Sequence, residues 1–189
     1  MAPKKPPRPS PSGTAHASPD EGGGREAFSL HIHHALSEIP REDWDGLEAG
    51  GSPFLEWDWL HSLEAAGCAA LEQGWSPHHL AIREGERLVA ACPLYLKGHS
   101  QGEFIFDHQW AHAAERAGIS YYPKLLAAVP FTPAAGCRVL TAPGAVRAPL
   151  VRFIGDTLRK LSAEHELSSV HVNFCEQAEV EPLKQAGYV

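Results

Sequence analysis

From Phe28 onward the apolar and polar positions follow two periods, and each stretch predicts an element. FSLHIHHAL alternates Phe28, Leu30 and Ile32 with Ser29, His31 and His33, the period of two that gives a strand one buried face. In EIPREDWDGLEAGG, Pro40 stands where a first helical turn tolerates it, acids crowd the amino end, and Gly50 and Gly51 stop a short helix. SPFLEWDWLHSLEAAG predicts a second helix, with Ser52 as N-cap, Pro53 at N1, Leu55, Trp59, Leu60 and Leu63 on one face, and Gly67 as terminator. The apolar runs Leu80 to Arg83 and Leu88 to Leu96 flank the turn EGE and predict an antiparallel hairpin. EFIFD reads as a short extended piece and HQWAHAAERAG as a helix. Pro123 and Pro130 make YYPKLLAAVPF a strand in preference to a helix. After a loop holding a short strand come a long amphipathic helix with Leu150, Phe153, Ile154, Leu158 and Leu161 on one side, the strand SSVHVNF and a last helix. The order predicts an α/β layer built on a mixed sheet.

Composition adds an appendage to this body. Residues 1–27 hold six prolines, four glycines and no large apolar side chain beyond Met1, too little to offset the entropy of ordering, and are expected to form a disordered tail. The tail carries a net charge of +1, which leaves about −8 of the total −7 on the remaining body. An acidic body excludes general DNA binding through phosphates. No run of about 18 apolar residues predicts a membrane span and no apolar signal segment opens the chain, so a cytoplasmic location is expected. Cys68, Cys92, Cys137 and Cys175 are scattered without C-x-x-C spacing, and no disulfide is expected.

Two motifs suggest chemistry and each meets an objection. GHSQG, from Gly98 to Gly102, matches the G-x-S-x-G nucleophile elbow, with Asp156 and His165 or His171 downstream as partners for Ser100. An elbow serine sits on a strand-to-helix turn, whereas EFIFD follows here, and the chain is expected to stay extended past Lys97. A serine hydrolase is therefore a distant alternative. HIHH suggests a metal, but on a strand only His31 and His33 share a face, and two ligands do not make a zinc site.

Four blocks, PFLEWDWLHSLEAAG, GWSPHHL, CPLYLKGHSQGEFIFDHQWAHAAERAG and YYPKLLAAVPFTPAAGCRVL, together resemble the FemAB-like proteins, a branch of the GNAT acyltransferase superfamily described as peptidoglycan biosynthesis or recognition proteins. The resemblance spans roughly residues 44–174. It implies a GNAT-like α/β fold, with a mixed, mostly antiparallel sheet flanked by helices. GNAT domains close with two further strands and FemAB-like proteins carry a second GNAT-like half, so residues 28–189 are expected to be a partial domain lacking its last strands and its second half. The implied activity is transfer of an acyl or aminoacyl group to the amine of a peptide or cell-wall-type acceptor, with a non-catalytic recognition module of the same fold as the alternative. The usual phosphate loop R/Q-x-x-G-x-G/A is replaced by PFTPAAGCR, which leaves acyl-CoA and aminoacyl-tRNA both open as donor.

The matching blocks supply the candidate site residues. Glu103, Asp107 and His99 are the catalytic candidates, the two acids being interleaved with Phe104 and Phe106 and the histidine being suited to proton transfer near neutral pH. Lys97, Ser100, Trp110, Tyr121, Tyr122, Lys124, Phe131, Thr132 and Arg138 are the binding candidates.

Overall fold

A computed structural model describes residues 28–105 and 107–189; the amino-terminal tail and Phe106 lie outside the described residues. Strand β1 (Phe28–His33) is followed by helices α1 (Arg41–Asp45) and α2 (Trp57–Ala65), then by strands β2 (Trp75–Pro77), β3 (His79–Glu84), β4 (Arg87–Cys92) and β5 (Leu94–Lys97). Helix α3 (His108–Arg116), strands β6 (Lys124–Ala127) and β7 (Leu140–Thr141), the long helix α4 (Arg147–Glu164), strand β8 (Val170–Val172) and helix α5 (Gln177–Gln185) complete the chain. The protein is mixed α/β and its strands are mostly antiparallel, as expected. They form two four-stranded sheets, ordered β1-β3-β4-β7 and β2-β5-β6-β8, with β6 and β8 as the parallel pair.

Pro93 makes the division. The run Leu88 to Leu96 reads as one strand, but a proline has no N–H for the ladder. β4 therefore ends at Cys92, held between β3 and β7, while β5 starts at Leu94 and turns away to pair with β2 and β6. At the parting point Leu94 N–H donates to the Nδ1 of buried His79 at 3.4 Å, and Leu94 C=O accepts from His78 N–H at 2.8 Å. His79 is oriented in turn by Glu64 of α2, 2.7 Å from its Nε2, and Glu64 also accepts the Leu36 N–H. A buried acid–histidine pair thus supplies the partner that the ladder loses, as buried backbone groups require.

One apolar layer joins α1 and α2 to a face of the first sheet through Leu36, Trp44, Leu55, Leu60, Ala81, Ala91 and Leu140. A second fills the space beneath α4 and α5 with residues of both sheets, including Ile82, Cys92, Leu94, Leu125, Val151, Ile154 and Leu158. Gly155 permits the close approach of α5, since an added Cβ would come within 2.9 Å of the Ala186 Cβ. The third cluster, Trp75, Tyr95 and Leu126 with Ala69 and Ala128, lies on the opposite face of the second sheet.

Local departures from the predicted elements have local causes. α1 ends at Asp45, whose side chain accepts the Trp57 N–H at 2.8 Å at the start of α2, and the predicted second helix is a 3-10 turn at Pro53–Leu55 followed by α2. Trp59 and Phe153, placed by spacing on buried faces, are 40% and 47% exposed. Glu103, Phe104 and Ile105 do not form the expected extended piece: the chain past Lys97 bends through a turn at Gln101 and Gly102. Trp75–Pro77, too short and proline-bound to show a period, is a strand that the pattern misses.

Buried charge pins the far side. Glu179 of α5, 1% exposed, accepts the N–H groups of Arg138 and Val139 at 2.9 Å and an Arg147 N–H at 2.7 Å. Removing this acceptor leaves buried donors without partners, so Glu179→Ala is expected to lower stability by about 3–5 kcal/mol, read from the urea midpoint at unchanged slope.

Candidate functional site

The antiparallel register of β5 and β6 sets Lys97 directly opposite Lys124, and that of β2 and β5 sets Trp75 opposite Lys97. Residues paired across antiparallel strands point to the same face, so an indole and two ammonium groups form one row at the end of the second sheet. Both lysines are fully buried. Two like charges side by side out of water demand neutralisation, which the bent segment after β5 provides. Glu103 Oε2 lies 3.0 Å from Lys124 Nζ, Glu103 Oε1 lies 4.0 Å from Lys97 Nζ, and Asp107 Oδ2 accepts from Lys124 at 2.9 Å. Lys97 Nζ sits 3.5 Å from the centre of the Trp75 ring and donates to the Gln101 carbonyl, which also accepts the Trp75 indole N–H.

Backbone conformation aims the acids inward. Gly102 at φ +78° makes the turn, and a Cβ there would come within 2.6 Å of the Phe131 ring. Phe104 and Phe131 hold the left-handed region at φ +56° and +57°, a strained state for a side chain of this bulk. Phe131 N–H donates to the Gly102 carbonyl, which fastens the loop to the end of β6.

Hydroxyl groups carry the cluster outward. Lys124 donates to Ser100 Oγ at 3.0 Å, Ser100 Oγ and Tyr122 Oη are 2.7 Å apart, and Tyr121 donates to Asp107 Oδ2 at 2.9 Å. Ser100, Tyr121 and Tyr122 also line an open groove of about 580 Å³, walled on one side by His108, Ala111, His112 and Glu115 of α3 and closed by Ile119 and Ser120. The groove is the surface end of the charged cluster. Glu103 Oε2 is held by Lys124 in the 3.0 Å ion pair, while Glu103 Oε1, 4.0 Å from Lys97 Nζ, and Asp107 Oδ1 are buried without a hydrogen-bond donor among the described residues.

The environment sets the titration of each group. Burial pulls Lys97 down to about 7, against the pull of Glu103 and together with the repulsion of Lys124. Burial raises Glu103 although both lysines favour its charge. For Asp107, burial opposes ionisation, but donors from Ser100, Lys124 and Tyr121 outweigh it and hold the carboxyl below its ordinary range. Tyr121 is pushed up by burial and by the anionic Asp107 it donates to. His171, which shares this sheet face, is lowered by burial and by Lys124. Groups driven apart in this way mark sites of chemistry.

Seven of the sequence candidates meet in this cluster: Lys97, Ser100, Glu103, Asp107, Tyr121, Tyr122 and Lys124. His99 is at the groove wall, where its ring covers Gly74 and its Nδ1 accepts the Gln101 N–H. Phe131 packs on Trp75 and supports the loop, and the Thr132 hydroxyl donates to the Pro130 carbonyl. Trp110 is 72% exposed on α3 and does not line the groove. Arg138 is elsewhere: its guanidinium donates to the carbonyls of Ala134, Gly136, Cys137 and Asn173, which makes it a clamp on its own loop. The Gly136, Arg138 and Val139 N–H groups are taken by the Phe174 carbonyl and Glu179, so PFTPAAGCR does not turn these amides toward a phosphate. Trp75, His108 and His112 escape sequence reading, because only the register and the position of α3 bring them here.

No nucleophile elbow forms at Ser100. Seven residues separate the serine from α3, β5 and β6 are antiparallel, and the hydroxyl meets Lys124 and Tyr122. His171 Nε2 is 3.0 Å from Ser169 Oγ, and Asp156 is on the surface beside Arg152. Among the described residues no three His, Cys, Asp or Glu side chains gather as a metal site, and no helix is long and apolar enough to cross a membrane.

The depressed Lys97 predicts a pH dependence of stability. Between about 7 and the ordinary lysine value near 10.4, the unfolded chain binds a proton that the folded chain does not, so stability rises with pH across that window. Lys97→Met removes the rise: the wild type is expected to gain about 2 kcal/mol relative to the variant between pH 7 and pH 10, read by urea unfolding at each pH.

Comparison with known proteins places the chain. No curated protein and no solved structure matches it. The model of the FemAB-like family, described as peptidoglycan biosynthesis/recognition, matches residues 35–189, from before α1 to the last residue and beyond both ends of the span seen in the sequence blocks. With the match covering most of its length, the cluster and the groove included, the chain belongs to the FemAB-like family.

Proposed function

We propose that the groove is an acyl-transfer site, in which an acyl or aminoacyl group passes to the amine of a peptide or cell-wall-type acceptor. The observation that carries this reading is the continuity between groove and charge: Ser100, Tyr121 and Tyr122 line the groove and are hydrogen-bonded to the buried Lys124–Asp107 pair. Acyl transfer to an amine needs a group to take the amine proton, a donor to the leaving atom, and positive charge near the developing oxyanion. Ser100, Tyr121 and Tyr122 line the groove, and the charged Lys124 and Asp107 stand behind them, hydrogen-bonded to these hydroxyls. The family description, with its reference to peptidoglycan, supports a peptide-type acceptor.

The donor is held by the groove and not by PFTPAAGCR, whose Gly136 and Arg138 amides and arginine side chain are engaged within the fold. An aminoacyl ester and an acyl thioester both meet this condition. A recognition module of the same fold would bind acceptor peptide and turn nothing over.

Equilibrium titration and turnover decide between these outcomes. Acyl-CoA and an aminoacyl donor are incubated with a peptidoglycan stem peptide carrying a free amine, and the acylated product is followed by mass spectrometry. Asp107→Asn is expected to lower turnover by about 10²–10⁴-fold while peptide affinity changes little. Peptide binding without transfer from either donor overturns the transferase reading in favour of recognition.

A further inference from the structure

Five residues of the site form a hydrogen-bonded chain with both ends in the groove. It runs Tyr122, Ser100, Lys124, Asp107, Tyr121, with successive separations of 2.7, 3.0, 2.9 and 2.9 Å. Its polarity is fixed at three of the four links. Lys124 can only donate, and does so to Ser100 Oγ and to Asp107 Oδ2. Tyr121 donates to Asp107, which leaves its oxygen lone pairs as the acceptors that it presents to the groove. Ser100 Oγ accepts from Lys124, and its single proton, which can also turn toward Asp107, is assigned to Tyr122 Oη, so that the Tyr122 proton becomes the donor at the other wall. Two adjacent tyrosines of one groove are therefore unequal, one an acceptor and the other a donor. Their rings stand edge to face with centroids 5.1 Å apart.

We propose that this chain is a closed proton circuit, in which Tyr121 takes the proton of the attacking amine and Tyr122 supplies the proton of the leaving group. The proposal rests on the acyl-transfer reading and assigns the path of the proton within it. The nitrogen of a neutral amine bonds to the acyl carbonyl carbon, and the bond from that carbon to the leaving sulfur or oxygen breaks. The proton shed by nitrogen moves to Tyr121 Oη as the Tyr121 proton moves to Asp107 Oδ2. The leaving atom takes the Tyr122 proton, Tyr122 takes that of Ser100, and Ser100 takes one from Lys124. The proton on Asp107 then crosses to the neutral Lys124 amine, and every group regains its starting state. One proton leaves nitrogen and one reaches the leaving group, so no outside acid or base is consumed.

Two further features suit this role. Tyr121 resists ionisation beside anionic Asp107, so it passes a proton on without resting as a tyrosinate. The residues around the Lys124–Asp107 pair are themselves charged or titratable: Glu103 and Lys97 from the loop and β5, and His171 from β8. Glu103 beside Lys124 keeps negative charge near the lysine when Asp107 holds the proton.

The test is a leaving-group series, with acyl donors from alkyl thioesters to nitrophenyl esters and Nα-acetyl-lysine amide as acceptor. Tyr122→Phe is expected to cost about 10²–10⁴-fold in kcat with the alkyl thioesters and under about tenfold with nitrophenyl esters, whose leaving groups depart without a proton. Ser100→Ala cuts the same arm one step back and follows the same trend. Tyr121→Phe loses a similar factor across the whole series, because the amine must shed its proton whatever group departs. A merely structural tyrosine would not make its loss depend on the leaving group. A wild type that transfers from none of the donors removes the acyl-transfer reading and the circuit with it. An active wild type whose two tyrosine variants stay within about threefold of it, or whose Tyr122→Phe variant loses equally at both ends of the series, overturns the circuit alone.

Discussion

Two lysines facing each other across adjacent strands, both out of water, set the terms for this part of the molecule. Lys97 and Lys124 are register partners, and nothing in the β-ladder itself compensates their charge. A like pair at this position is unfavourable by itself and prohibitive when buried. The fold answers with a ten-residue excursion after β5, in which a glycine turn and the left-handed Phe104 carry Glu103 and Asp107 back over the lysines. The strain of that loop and the burial of four charges are both offset only if the elements around them are rigid, and the loop's fastening to Phe131 and Trp75 supplies that rigidity.

The position of this cluster follows from the parting of the two sheets. A continuous strand from β4 to β5 would run the second sheet on in the plane of the first. With Pro93 in the way, β5 diverges, exposes a new edge to β2 and β6, and brings Trp75, Lys97 and Lys124 into one row. The Glu64–His79 pair makes the divergence tolerable by catching the Leu94 N–H. α3, which buries none of its side chains, then stands beside the end of the second sheet and leaves the groove open to solvent.

Membership of the FemAB-like family gives the setting in which the groove is read. The family concerns peptidoglycan. The groove combines hydroxyl donors and acceptors with buried charge behind them, and the proposed proton transfer rests on that arrangement. The segment replacing a phosphate loop is committed to Glu179 and to its own arginine, so the polar interaction that would suggest nucleotide binding is a structural clamp.

Much of the secondary structure was determined by the chain's own periodicity: the alternation in β1, the face of α4 and the glycines ending α2 and α3 each depend on neighbours a few residues away. Seven residues of the cluster were also legible, because charged and hydroxyl side chains within apolar blocks are conspicuous and the family resemblance drew attention to them. The failures share a cause. The split at Pro93, the exposed Trp59, the strand at Trp75 and the bend through Glu103 to Asp107 depend on which surface packs opposite, and no local pattern records that. Arg138 illustrates the same limit, since an isolated arginine in a loop looks like a ligand until the carbonyls around it are known. Sequence determined which residues have chemistry to offer; tertiary structure decided, through strand register and burial, which of them share a charge and which face a groove.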